Sequence, residues 1–235
     1  MIRSIQKYKI LILILISSYG NAEIKDNRTE ELLKKLYNNE GWVVDNTKEG
    51  ISLSRKTIEN MELTALMVRQ KIMIPKEIVQ SVIMDVNNYE KFLNNKGLIS
   101  KVINRGINWV DGYQYIPIDI PMIADREYLF RMYPDGHNKE DTTSIIHWYL
   151  LNKKQDVLDE LNERLKDAVY LDHGAGLWVA EEIEKDTIIL SYRIYMDPGG
   201  SLPDLLIDIM NKVSVVNVFK DAVTEAQNRY NLTIQ

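Results

Sequence analysis

Catalysis would need a nucleophile, a paired acid and base, a metal cluster or a phosphate cradle, and the residue types here offer little of any. The three histidines, His137, His147 and His173, lack metal-site spacing, and the chain has no cysteine. No Gly-x-Ser-x-Gly elbow and no glycine-rich phosphate loop occurs. Asp156, Asp159, Glu160 and Glu163 fall on a charged helical stretch where Glu160 and Arg164 stand at i,i+4, the pattern of a solvated face. These patterns predict no catalytic group, no metal and no cofactor.

The charge that stands out is Arg126. In an extended segment over residues 126–133, alternation puts Arg126, Tyr128, Phe130 and Met132 on one face and Glu127, Leu129, Arg131 and Tyr133 on the other. An enclosed guanidinium is costly unless paired, so a carboxylate is expected beside it, with Asp111, Asp119 and Asp125 the candidates. Two roles fit: reception of the polar end of a bound molecule, or a buried ion pair that fixes the strand.

The elements that must position these residues follow from periodicity. A short amphipathic helix is expected over 28–38, with the Trp42 segment as its continuation into the fold. Strands over 51–57 and 63–74 are separated by Glu59-Asn60, short enough for a hairpin, and the second puts Leu66, Val68, Ile72 and Ile74 opposite Arg69 and Lys71. Pro75 opens a helix with Ile78, Val79, Val82, Ile83 and Val86 on one stripe. Further strands are predicted over 97–104, 109–118, 126–133, 144–151, 177–183 and 187–196, with an inserted surface helix between 152 and 170. Asp197-Pro198-Gly199-Gly200 reads as a tight reversal, after which Ser201 caps a long final helix whose apolar stripe is wide enough to predict cover over much of its circumference. This order predicts one α+β domain, an antiparallel sheet curved around the last helix. Trp148, Tyr192 and Ile194 belong to its inward sets, opposite Leu206, Met210 and Val213; they either fill a core or line a chamber.

At 235 residues and 45% hydrophobic content, the chain can bury a sizeable core. Its N-terminus has the form of a secretory signal: Arg3, Lys7 and Lys9, an apolar run over 10–16, then Gly20-Asn21-Ala22. That run is shorter than the roughly 20 residues of a membrane span. Cleavage after Ala22 is expected, giving a signal peptide, 1–22, and a mature domain, 23–235, secreted or periplasmic. Losing three positive charges there moves the formal net charge from −5 to −8. Such a balance argues against nucleic acid as a partner, while a local basic patch would still allow transient membrane contact. Without cysteine there are no disulfides, and stability must come from core burial.

Three patches carry a likeness to a known family: Tyr113-Gln114-Tyr115 through Ile120-Pro121 to Asp125-Arg126-Glu127-Tyr128, Gly176-Leu177-Trp178, and Tyr192 through Asp197-Pro198-Gly199-Gly200-Ser201-Leu202-Pro203. They resemble the START domains (steroidogenic acute regulatory protein-related lipid transfer), of the helix-grip superfamily, and with matching element order the resemblance runs over about 42–230. Glu127 stands where that family usually has aspartate, and Tyr170 where it usually has arginine.

The resemblance implies a helix-grip fold, a curved antiparallel β-sheet wrapped around a long C-terminal α-helix and enclosing a hydrophobic cavity. It implies that a monomer binds a lipid or other hydrophobic small molecule there, for transport or sensing. Together with the inward-facing sets, it marks Tyr113, Tyr115, Arg126, Tyr128, Phe130, Trp148, Tyr192, Ile194, Leu206, Met210 and Val213 as the expected ligand-binding residues. Related helix-grip proteins include cyclases. The alternative is therefore an enzyme of the cyclase or aromatase kind, with Arg126, Tyr113 or Tyr192 polarising a polyketide-like substrate. A third reading is an envelope protein that binds a partner on its surface over a collapsed, solid core.

Overall fold

A computed structural model describes residues 27–135, 142–161, 168–200, 202 and 204–234. Helix α1 (Asn27–Tyr37) leads into strands β1 (Val43–Lys48), β2 (Ile51–Thr57) and β3 (Thr64–Ile72), then helices α2 (Lys76–Ile83) and α3 (Tyr89–Phe92). Strands β4 (Ile99–Arg105), β5 (Val110–Ile116), β6 (Arg126–Pro134) and β7 (Thr143–Leu150) follow, then α4 (Gln155–Leu161) and the short β8 (Val169–Tyr170). The chain closes with β9 (Gly174–Glu184), β10 (Thr187–Met196) and the long α5 (Asp204–Thr233).

The strands form one curved, unclosed sheet in the order β1-β2-β3-β10-β9-β7-β6-β5-β4, with β8 beside β6. Every pairing along that path is antiparallel; β8 alone runs parallel to its neighbour. β6 and β7 pair only over Phe130–Pro134, because the start of β6 takes β8 instead, at Arg126↔Val169 and Glu127↔Tyr170. Where β6 and β7 part, the Tyr170 hydroxyl sits between them. It accepts from the Leu129 N–H at 3.3 Å and donates to the Leu151 carbonyl at 2.8 Å. An aromatic residue with a hydroxyl tip thus does what a direct ladder bond does elsewhere, pairing the Leu129 amide.

Each face of the sheet carries its own core. On the concave side Val68, Phe130, Ile146, Trp148, Leu190 and Tyr192 pack with Val79 and Val82 of α2 and with Val215, Phe219, Ala222 and Ala226 of α5. On the convex side Leu32, Leu33 and Leu36 of α1 pack with Tyr113, Leu129, Tyr149, Leu177 and Tyr195. The end of α1 is held by two cations. Arg193 donates to the Leu36 and Tyr37 carbonyls at 3.1 and 2.6 Å, and Lys56 donates to Lys35 and Asn38 at 2.7 and 3.0 Å. Positive charge suits these unpaired carbonyls at the negative end of a helix.

The α+β architecture and element order agree with the sequence. The Trp42 segment does not: α1 stops at Tyr37, Gly41 turns the chain at φ 81°, and β1 follows as an edge strand. All six residues of β1 are exposed, so it has no buried face to write an alternation into the sequence. The expected insertion helix is realised over Gln155–Leu161, followed by β8 at its far end. The described C-terminal half of α5 buries one stripe rather than most of its circumference. The signal segment, His137, and the Ser201 cap lie outside the described residues. No described helix is long and apolar enough to cross a membrane.

Candidate functional site

A cavity of about 250 Å³ lies between the concave face and α5. Its wall is largely aromatic and aliphatic, with Phe130 from β6, Trp148 from β7, Trp178 from β9, Tyr192 and Ile194 from β10, and Val215, Val218 and Ala222 from α5. Two glycines make room for the bulky walls. Gly112 pairs directly with Phe130 across β5 and β6, and a Cβ there would stand 2.4 Å from the phenyl ring. Gly176 pairs with Trp148, and its Cβ would stand 2.6 Å from the indole nitrogen. Rings laid flat over bare backbone keep the wall smooth and leave the space beyond it open.

Trp178 fixes the helix to the sheet. Its ring stacks on Tyr192 at 4.1 Å and 12° and lies nearly parallel to Phe219 of α5 at 6.0 Å and 9°. Ion pairs hold the helix at two points along its length: Lys212 to Asp45 at 2.8 Å, and Arg229 to Asp85 at 2.8 Å. Between them Asp221 accepts the Asn94 backbone N–H at 2.7 Å, tying α5 to the loop after α3. Asn94, Ser214 and Asn217 line the cavity and are exposed, so the mouth lies at this seam.

Deeper in, the polar groups are uncharged. The Tyr128 hydroxyl donates to Gln114 Oε1, and Gln114 Nε2 donates to Ser100 Oγ at 3.4 Å. The Tyr89 hydroxyl donates to the Ile83 carbonyl. Burial raises the pKa of Tyr89, Tyr128 and Tyr192 above the ordinary phenol value, so all three stay protonated at neutral pH. Among the described lining residues, Asp221 alone carries an ionisable carboxyl or a basic group. No cluster of His, Asp or Glu suited to a metal occurs among the described residues.

The expected site residues divide. Tyr128, Phe130, Trp148, Tyr192 and Ile194 line the cavity together. Tyr113 and Tyr115 are buried on the opposite face, in the convex core. Tyr113 donates to Glu127 at 3.1 Å, and Tyr115 to Asp125; burial, aided by that bond, pushes the Tyr115 pKa up to about 12. Their neighbours Gln114 and Ile116 are the β5 residues that line the cavity. The register Gln114↔Tyr128 puts that pair on one face, and sequence alternation alone could not say which face of β5 was concave. Val213 is 54% exposed and does not line the cavity, while the side chains of Leu206 and Met210 lie outside the described residues.

Arg126 is buried, as expected, yet it does not line the cavity and takes no carboxylate among the described residues. Its Nε donates to the Pro198 carbonyl at 2.6 Å, one terminal nitrogen to Gly199 at 3.2 Å and the other to Ala124. Asp125 lies near enough to favour the charge, while burial, the larger effect, lowers the guanidinium pKa. Asp111 pairs instead with Arg131, bidentate at 2.7 and 2.9 Å, and Asp119 is exposed. The physical reason is the reversal at Asp197-Pro198-Gly199-Gly200. Gly199 and Gly200 at φ 61° and 73°, and Asp197 accepting the Gly199 N–H at 2.8 Å, aim the carbonyls of Pro198 and Gly199 at the start of β6.

No family model matches the chain, and no curated protein matches it in sequence. Solved structures do. The chain covers 99% of a STAR-related lipid transfer protein fragment from Xanthomonas axonopodis over 80% of its own length, with a TM-score of 0.65 at 15% identity. It covers 92% of human StAR-related lipid transfer protein 5 over 85% of its own length, with a TM-score of 0.67 at 15% identity. The chain has the START helix-grip fold. An aromatase/cyclase from Streptomyces shares this architecture more loosely, at a TM-score of 0.52 and 13% identity over 70% of the chain and 94% of that structure. Within this START fold, the Asp-Pro-Gly-Gly reversal and the buried arginine are one structural unit, and the cavity lies beyond it.

Proposed function

We propose that this protein binds a lipid or other hydrophobic small molecule in the cavity under α5 and carries or senses it, as a monomer exported after removal of residues 1–22. One observation carries the reading: a cavity of about 250 Å³ walled by aromatic and aliphatic side chains, with its described charge confined to the mouth. Fold likeness to lipid transfer proteins supports it. Transient membrane contact is part of the same proposal, because an apolar ligand must be taken up from somewhere apolar.

Native mass spectrometry and solvent extraction of the purified protein test the reading. The expected result is a co-purifying apolar molecule, or uptake from a lipid panel that Ala222→Trp lowers by filling the cavity. Val213→Trp, on the exposed side of α5, leaves uptake as it is. A protein that carries nothing and takes up nothing from the panel refutes the reading. For export, the first residue of the mature protein is expected to be Glu23, and intact residues 1–22 on protein from the cell exterior would count against it.

The fold shared with an aromatase/cyclase supplies the alternative. It is disfavoured because the described lining offers protonated phenols, amides and aliphatic hydroxyls, with no imidazole and no second carboxylate beside Asp221.

A further inference from the structure

The polar groups at the cavity floor have a selectivity of their own. Gln114, Tyr128 and Tyr192 are each at most 8% exposed, and all three line the cavity. Trp148 lies close enough to favour ionisation of the Tyr192 hydroxyl, and because an indole nitrogen can only donate, it leaves the phenolic proton to be given. No acceptor for that proton appears among the described residues. Gln114 uses its carbonyl on Tyr128 and one amide hydrogen on Ser100, which leaves a second amide hydrogen. The floor therefore presents donors beside hydroxyl oxygens able to accept.

A ligand anion would find no compensation there. The described lining holds no lysine, arginine or histidine, and Asp221 at the mouth repels negative charge. Arg126 is committed to the carbonyls of Ala124, Pro198 and Gly199, and Lys212 lies beside Asp45. Burying a carboxylate or phosphate without a cation is heavily unfavourable, whereas one hydroxyl or carbonyl oxygen can be satisfied by these donors. A bare hydrocarbon would leave the Tyr192 proton without an acceptor.

We propose that the cavity selects an uncharged ligand bearing an alcohol or ketone group, bound at its floor by Tyr192 and the Tyr128–Gln114 pair, and rejects carboxylate- and phosphate-headed lipids. The proposal rests on the binding reading above and narrows its ligand class. At about 250 Å³ the cavity suits a single-chain molecule, so simple twelve-carbon compounds are adequate probes.

The test is competition between the uncharged dye N-phenyl-naphthylamine and dodecanol, dodecanone, dodecanoate or dodecane at neutral pH. Dodecanol and dodecanone are expected to compete at least about tenfold better than dodecanoate or dodecane. Tyr192→Phe, which keeps the ring stacked on Trp178, should shrink that preference to about threefold or less, and Gln114→Leu should do the same. Dodecanoate competing as well as dodecanol, or both variants keeping the full preference, overturns the selectivity while leaving the binding reading intact. Failure of the dye and all four compounds to bind overturns both.

Discussion

Gly112→Ala is the smallest change that tests how the cavity is walled. The added Cβ would lie 2.4, 2.5 and 3.1 Å from three atoms of the Phe130 ring, whereas ordinary contact begins near 3.4 Å. The ring must therefore retreat by roughly 1 Å. With β5 behind it, the direction open to it is the cavity. Overpacking of this kind costs about 1–3 kcal/mol, a fall in Tm of roughly 2–12 °C for a domain of this size. Dye uptake should fall as well, because the displaced ring occupies ligand space. Thermal unfolding and dye titration of Gly112→Ala, Phe130→Leu and the double variant measure both effects. Because the shorter side chain of Phe130→Leu no longer spans Gly112, the two changes should couple by about 0.5–3 kcal/mol, with Gly112→Ala nearly neutral in the Phe130→Leu background. Additive losses, or a Gly112→Ala protein with unchanged Tm and uptake, would show that the ring does not lie against bare backbone and that the wall is not built this way.

Asp221→Ala removes the bond that ties α5 to the Asn94 amide across the mouth; ligand exchange in stopped-flow should speed up several-fold while stability falls by no more than about 1–3 kcal/mol. Arg126→Lys cannot reach three carbonyls from one ammonium, so it should cost about 1–3 kcal/mol in denaturant unfolding, and dye affinity measured on the folded protein should not change, since Arg126 is not in the lining. A selective loss of binding with full stability would restore Arg126 to the site. The hydrogen bond and charge of Lys212 hold the Asp45 carboxyl below its ordinary 3.8. A depressed carboxyl pKa stabilises the fold above the unfolded value and loses that contribution as pH falls through the folded one. Asp45→Asn should therefore lower Tm at neutral pH, with the difference from the parent disappearing only below about pH 3.8.

How much of this was legible in the sequence depended on whether neighbours along the chain carry the information. The Pro75-opened helix, the alternation of β3 and β10 and the Asp197–Gly200 reversal are local: periodicity, a fixed proline φ and positive φ at two glycines are written in consecutive residues. They sufficed for an α+β domain with a closing helix, and for placing Tyr128, Phe130, Trp148, Tyr192 and Ile194 on faces that the fold brings together. Edge strand β1, exposed throughout, left no such trace. Everything that depended on pairing between distant strands waited for the tertiary structure. Register decided that Gln114 rather than Tyr113 or Tyr115 faces the cavity, and which aromatic rings lie over Gly112 and Gly176, because a strand's alternation is the same whichever face turns inward. Tertiary structure also redirected Arg126. A buried guanidinium needs acceptors, and the sequence offered three aspartates nearby, but the reversal some seventy residues later supplies the carbonyls of Pro198 and Gly199. The sequence alone determined that a helix closes over a sheet; only the packing of the two determined that a space remains between them, and that its floor is polar but uncharged.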